Sequence, residues 1–240
     1  MTTIRERVRG TVCLGCSLLG LAVAPRAHAK GLAGATEVQL RTELFEYQSS
    51  KSTSSATNAP PGVPMPGPTS SSGQGSSFGL MGSGYGVELG YFISDHVQLG
   101  AGLQFSHGHS SGDALGFSSN LTNLSLVPRL EYLFDGERVR PYLAGFGGYQ
   151  RAWYSSSESD FDSKSGSSGF VFGGAVGAHV FLGDSWSLDP ELAIQRTSRD
   201  GTQSTTGPSD VSSVTYEYDS TFRATSVVLS IGLSGWFGGR

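Results

Sequence analysis

Beyond residue 16 this 240-residue chain contains no cysteine; its two, Cys13 and Cys16, sit near the N-terminus. A disulfide framework and a thiol nucleophile are therefore excluded from the body of the protein. Charge is sparse too: Asp, Glu, Lys and Arg make up 15% of residues, and the formal net charge is −4. Lysine occurs only as Lys30, Lys51 and Lys164. With no basic run, there is no electrostatic footprint for nucleic acid. No apolar stretch reaches the ~20 residues that a membrane helix needs, so any passage through a bilayer has to be made by strands. Phosphate loops and dinucleotide fingerprints are missing as well, and no cofactor is expected.

What the chain has in quantity is glycine, 35 residues of it, in a composition that is 37% hydrophobic. Its periodic segments are too apolar for a disordered chain, and it is too rich in glycine for a helical enzyme; one all-β domain is expected. Residues 1–29 read as a cleaved signal peptide. Arg5, Arg7 and Arg9 form the basic start, Thr11 to Ala24 the apolar stretch and Ala27-His28-Ala29 the small-residue cleavage site. Both cysteines leave with it. Cys16 does not read as a lipid-attachment site, because the residue three before it is Cys13 and not a large aliphatic. Losing four arginines and one glutamate takes the net charge from −4 to −7.

The mature chain is organised around a hairpin at 85–105. Tyr85, Val87, Leu89, Tyr91 and Ile93 alternate with Gly86, Glu88 and Gly90; after Ser94-Asp95-His96, Val97, Leu99, Ala101, Leu103 and Phe105 alternate with Gln98, Gly100, Gly102 and Gln104. A period of two is satisfied only by extended strands. The same alternation sets Val38, Leu40, Thr42 and Leu44 against Glu37, Gln39, Arg41 and Glu43. It recurs at 124–134, 170–182, 186–195 and 226–234, while 138–154 is rich in glycine and compatible with either parity. Eight strands result. Short turns at 94–96, 135–137 and 183–185 alternate with polar connections at 106–120, 155–167 and 197–220, and with a Ser/Pro/Gly segment, 48–77, expected to be a disordered external loop.

An even number of antiparallel strands with short turns at one end and long loops at the other meets the requirement of an outer-membrane barrel, in which closure removes unpaired edges. The segments Tyr-Phe-Ile-Ser-Asp-His-Val-Gln-Leu-Gly-Ala-Gly-Leu (91–103), Arg-Pro-Tyr-Leu-Ala-Gly-Phe-Gly-Gly-Tyr (140–149) and Trp-Ser-Leu-Asp-Pro-Glu-Leu (186–192) resemble the small outer-membrane β-barrels of the opacity-porin and OmpA transmembrane type. The resemblance spans roughly Thr36 to Phe237 and implies a fold more than an activity. A soluble lipocalin-like barrel would show the same alternation turned inside out. The charge-poor polar face, the absence of lysine from every expected strand and the aromatics gathered near strand ends favour the membrane.

The fold class expected is therefore all-β: an eight-stranded up-and-down transmembrane barrel in the outer membrane of a Gram-negative bacterium, over 30–237. Its partners are outer-membrane lipid and, through the C-terminal strand, the assembly machinery, and it is expected to be a monomer. The terminal strand departs from the family habit of ending on an aromatic, since Gly238-Gly239-Arg240 follows Phe237. Pro128 and Pro190 cannot donate to a ladder, and bulges are expected there. Strand parity directs Arg41, Glu88, Arg129, Glu131, His179, Asp189 and Glu191 into the lower lumen, where opposite charges should pair. No catalytic or metal residue is assigned. Ser106-His107-Gly108-His109-Ser110 with Asp113, and Asp160-Phe161-Asp162, read as solvated connections, the second lacking an oxygen ligand at Lys164. The expected role is a non-enzymatic barrel displaying flexible surface loops for adhesion or ligand contact, with a lumen plugged by an Arg/Glu/Asp network. A narrow cation-preferring pore is the second reading and an outer-leaflet lipid-modifying enzyme the third.

Overall fold

A computed structural model describes residues 31–58, 65, 67–78, 85–112, 117–158, 161–208 and 213–238. The signal-peptide assignment, Asp113 and Asp160 lie outside these residues. The described residues form nine strands: β1 (Thr36–Asn58), β2 (Thr69–Phe78), β3 (Tyr85–Phe92), β4 (Val97–Gly112), β5 (Phe117–Leu133), β6 (Val139–Glu158), β7 (Phe161–Phe181), β8 (Trp186–Pro208) and β9 (Ser213–Phe237). All pairings are antiparallel, and each strand from β3 to β8 pairs with the next. β2 and β3 share one edge of β1, β3 against Thr36–Thr42 and β2 against Phe45–Ser54. They form two stacked segments of a single stave. The other edge of β1 pairs with β9 from Thr36 to Asn58, closing eight staves into a ring.

The apolar face points outward. Leu89, Leu99, Leu130, Leu192 and Leu229 are all exposed, whereas Glu131, His179, Asp189 and Glu191 are buried inside. This inverted distribution rules out the lipocalin-like alternative, in which the same leucines would fill the interior. On β6 the parity also resolves: Leu143, Tyr149 and Trp153 face out, and Tyr142, Ala144 and Ala152 face in.

Three expectations need correction. First, the polar segments are not loops throughout. Residues 48–58 and 69–77, read as disordered, are paired in β1 and β2, and most of 106–120, 155–167 and 197–220 is strand as well. A ladder anchored in the membrane extends itself by backbone bonds, and Ser and Thr add cross-strand contacts such as Ser54–Thr69 at 2.7 Å and Thr206–Thr215 at 2.9 Å. Strands of 20 to 25 residues, such as β6, β8 and β9, are about twice the ~10 residues needed to span the bilayer.

Second, neither proline causes a bulge. The register is continuous past Pro128 and Pro190, and only two residue pairs drop out of each of the β5–β6 and β7–β8 ladders. Register shifts against β9 fall instead between Ala56 and Asn58 and, lower on β1, between Glu43 and Phe45, where a bulge sits at Leu44. It reverses the parity of β1, so that Arg41 and Gln48 both face the lumen while Tyr47 faces out.

Third, the aromatics gathered near strand ends do not all face the lipid. Tyr47, Tyr91, Phe105, Tyr132, Phe134 and Phe170 do face outward, but Phe92 and Trp236 are buried and Phe181 packs with them. Their even or odd positions already matched the inner face of β3, β9 and β7.

Gly177 shows how tightly the inner face is fitted. A Cβ there would lie 2.4 Å from the Tyr142 ring and 2.8 Å from the Pro190 carbonyl oxygen. Gly177→Ala is therefore expected to destabilise the barrel by about 1–3 kcal/mol through overpacking. Urea unfolding of the refolded variant checks this; unchanged stability would mean that Tyr142 moves freely.

Candidate functional site

The inner face of the turn-proximal half carries most of the barrel's charged interior, because glycines there leave room for long polar side chains. Gln98, for example, lies over Gly90, where a Cβ would fall 2.0 Å from its Nε2. All seven residues that the alternation directs inward meet in this region. Arg129 on β5 is the hub: its Nη2 donates to Glu131 at 2.9 Å and to Glu191 at 2.5 Å, and its Nε lies 3.3 Å from Glu88. Arg41 on β1 pairs with Glu191 and lies 3.4 Å from Glu88. Glu191 thus bridges both guanidiniums, and it also accepts the Tyr142 hydroxyl at 2.8 Å. Each is held by strand pairing, so that four staves contribute to one ion cluster.

Below this cluster, toward the short turns, His179 is enclosed. Its Nε2 lies 2.8 Å from Glu131 Oε1 and its Nδ1 2.8 Å from Asp189 Oδ1. Asp189 accepts further hydrogen bonds from Ser187 at 2.7 Å, from Gln39 at 2.9 Å and from Ser234. The aromatic floor follows: Trp236 sits 5.0 Å from the His179 ring, 5.3 Å from Phe92 and 5.4 Å from Phe181, and its indole N–H donates to Ser187 at 2.9 Å. Above the Arg/Glu cluster, a cavity of about 150 Å³ is lined by Arg41, Glu43, Glu88, Gln104, Gln150 and Gln195. A space of that size and polarity accommodates several waters.

Sequence reading missed several members of this layer. Glu37, Gln39, Gln98, Tyr142, Ser187, Ser234 and Trp236 all belong to it. The signal for most was present, since Glu37 and Gln39 share the face of Arg41, Gln98 that of Gly100, and Ser187 that of Asp189; Tyr142 alone sat on a strand whose parity sequence left open.

Among the described residues, the candidate chemistry of the upper barrel does not come together. His107 and His109 lie on the exposed, outward face of β4 and hydrogen bond to Thr122 and Asn120 at 2.9 and 2.7 Å, while Ser106 points the other way and bonds Asn123 at 3.1 Å. A histidine and a serine on opposite faces of one strand cannot act on the same reacting group. Asp162 and Lys164 are exposed on β7.

The family model for the outer membrane protein beta-barrel domain matches residues 14–232. No curated protein sequence matches the chain. Among solved structures, the outer membrane protein OprG of Pseudomonas aeruginosa is similar, at 16% identity and a TM-score of 0.53, over 86% of this chain and 98% of its own. The Neisserial surface protein A is similar at 16% identity and a TM-score of 0.42, over 84% and 98%. Ail, the attachment invasion locus protein of Yersinia pestis, follows at 9% identity and 0.43, over 84% and 99%. At such identity the likeness to OprG is one of fold alone.

Proposed function

Since the chain belongs to the outer membrane protein beta-barrel domain family and resides in the outer membrane of a Gram-negative bacterium, we propose that it is a structural envelope barrel. In this reading the lumen is closed by its ionic and aromatic layers, and the role of the barrel is to present its strand extensions and their connections beyond the outer leaflet. One observation carries closure: Glu37, Gln39, Gln98, Arg129, Glu131, His179, Asp189 and Glu191, together with Phe92, Leu133, Tyr142 and Trp236, are each buried, forming a layer across the lumen. Eight staves enclose a space that side chains fill. Display is supported by strand length, because the apolar outer band occupies the turn-proximal half while the polar Ser/Thr/Gly half projects past it. The separation of His107 and His109 from Ser106 supports a non-catalytic role. Insertion as a monomer through the assembly machinery fits a terminal strand, β9, that closes directly on β1.

Purified, refolded protein in planar bilayers tests this. No stable conductance steps are expected from the wild type. The partial exposure of Arg41 and Glu88, at 19% and 15%, on the cavity favours the second reading, a narrow pore. Because carboxylates outnumber arginines in the lumen, that pore would prefer cations. Sustained cation-selective steps would therefore replace the closed barrel with the pore.

A further inference from the structure

In the floor of the lumen, one carboxylate oxygen has no use in the network described above. Glu37 is 4% exposed, yet its Oε1 accepts no hydrogen bond. Its other oxygen is held by Gln98. The orphaned oxygen lies 3.9 Å from His179 Nδ1, which in turn lies 2.8 Å from Asp189 Oδ1. One ligand atom from each of the three residues lies within 4.8 Å of the other two.

We propose that Glu37, His179 and Asp189 bind one divalent transition-metal cation of the zinc type. Zinc takes imidazole nitrogen and carboxylate oxygen at about 2.0–2.2 Å, which puts neighbouring donors of a tetrahedral site roughly 3.2–3.5 Å apart. The present spacings straddle that value, and the unrestrained Glu37 oxygen is the one that has to move inward. The surroundings are those of a supported site. His179 Nε2 faces Glu131 Oε1 at 2.8 Å, and when it donates there, the lone pair on Nδ1 is directed at the metal position. Asp189 Oδ2 is fixed by Gln39 and Ser234, and Glu37 Oε2 by Gln98. The charge balance agrees. Five carboxylates (Glu37, Glu88, Glu131, Asp189 and Glu191) face two guanidiniums in this region, and a divalent cation beside a neutral imidazole removes two of the three uncompensated negative charges. One imidazole with two carboxylates suits zinc better than magnesium or calcium, which favour all-oxygen shells. The cation would tie β1, β7 and β8 together beneath the Arg/Glu cluster, whether or not the lumen conducts.

The test is to refold the full mature barrel with excess Zn²⁺, desalt it and measure bound metal by mass spectrometry. Wild type is compared with Glu37→Gln, Asp189→Asn and a His107→Ala/His109→Ala control that removes the two exposed histidines of β4. One zinc per chain is expected in wild type and in the surface-histidine control, with zinc affinity at least about ten-fold weaker in Glu37→Gln. Glu37→Gln is isosteric and alters an oxygen without a hydrogen bond, so its fold, checked by heat-modifiable migration in gels, is expected to persist. Co²⁺ loaded into the wild type should give a visible absorption band of nitrogen and oxygen ligation, a readout independent of any variant's folding. Absence of retained zinc and of the Co²⁺ band in the wild type would overturn the site, leaving His179 simply hydrogen-bonded between Glu131 and Asp189. Equal zinc in Glu37→Gln would overturn it too, by placing the metal elsewhere.

Discussion

Arg129→Ala is expected to cost the barrel about 3–5 kcal/mol, the range found when one partner of a buried ion pair is removed and the other is left behind. Here three carboxylates lose their common partner: Glu131 and Glu191, both buried, and Glu88 on the cavity wall. Arg41 can partly compensate Glu191 and Glu88, since it already touches both, but it has no contact with Glu131. Glu131 is left with His179 alone. The loss should therefore be only partly recovered by Arg129→Lys, which restores the charge but not the fork that reaches Glu131 and Glu191 together. Reversible urea unfolding from lipid vesicles measures it. A loss below about 1 kcal/mol, the size typical of an exposed pair, would mean that water already solvates this layer and would revive the pore.

The second large effect lies on the opposite face. Leu99 is exposed on the apolar outer face of β4, one step on the turn side of Ala101, paired with Tyr91 and Leu130, both also exposed. Leu99→Arg is expected to destabilise the inserted barrel by about 2–4 kcal/mol, the cost of arginine at the midplane of a transmembrane strand. The control is Gly102→Ser, a lumen position where an added Cβ meets only the Val127 carbonyl oxygen, at 3.7 Å. That change should be tolerated within about 0.5 kcal/mol. Equal stability of the two variants in bilayers would mean that the assigned parity of β4 is wrong.

The bulge at Leu44 shows where reasoning from alternation stops. A uniform period of two carried along β1 would put Arg41 and Tyr47 on the same side, and it is the extra residue that separates them. Nothing in the local sequence marks it, because bulges are settled by how the register with β9 below must meet the register with β2 and β9 above. The prolines show the opposite error. Pro128 and Pro190 lack a donor, but two lost ladder pairs cost less than shifting the register of a closed ring, and the ladders resume in step on either side.

Alternation of side-chain polarity by itself determined the wall of this protein, since a strand in a barrel has only two faces and water-poor lipid accepts only one kind. It therefore placed Leu89, Leu99, Leu130, Leu192 and Leu229 outside, and it directed Arg41, Glu88, Arg129, Glu131, His179, Asp189 and Glu191 to a common interior. Only the tertiary structure decided which of them touch, because contact across a lumen depends on stagger between staves that are distant in sequence. Glu191 meets Arg41 across 150 residues, and His179 meets Glu131 across 48. It also decided how far the strands run. Ser/Thr/Gly stretches carry no apolar signal, and they are held as strands by neighbours already in register and not by preferences of their own.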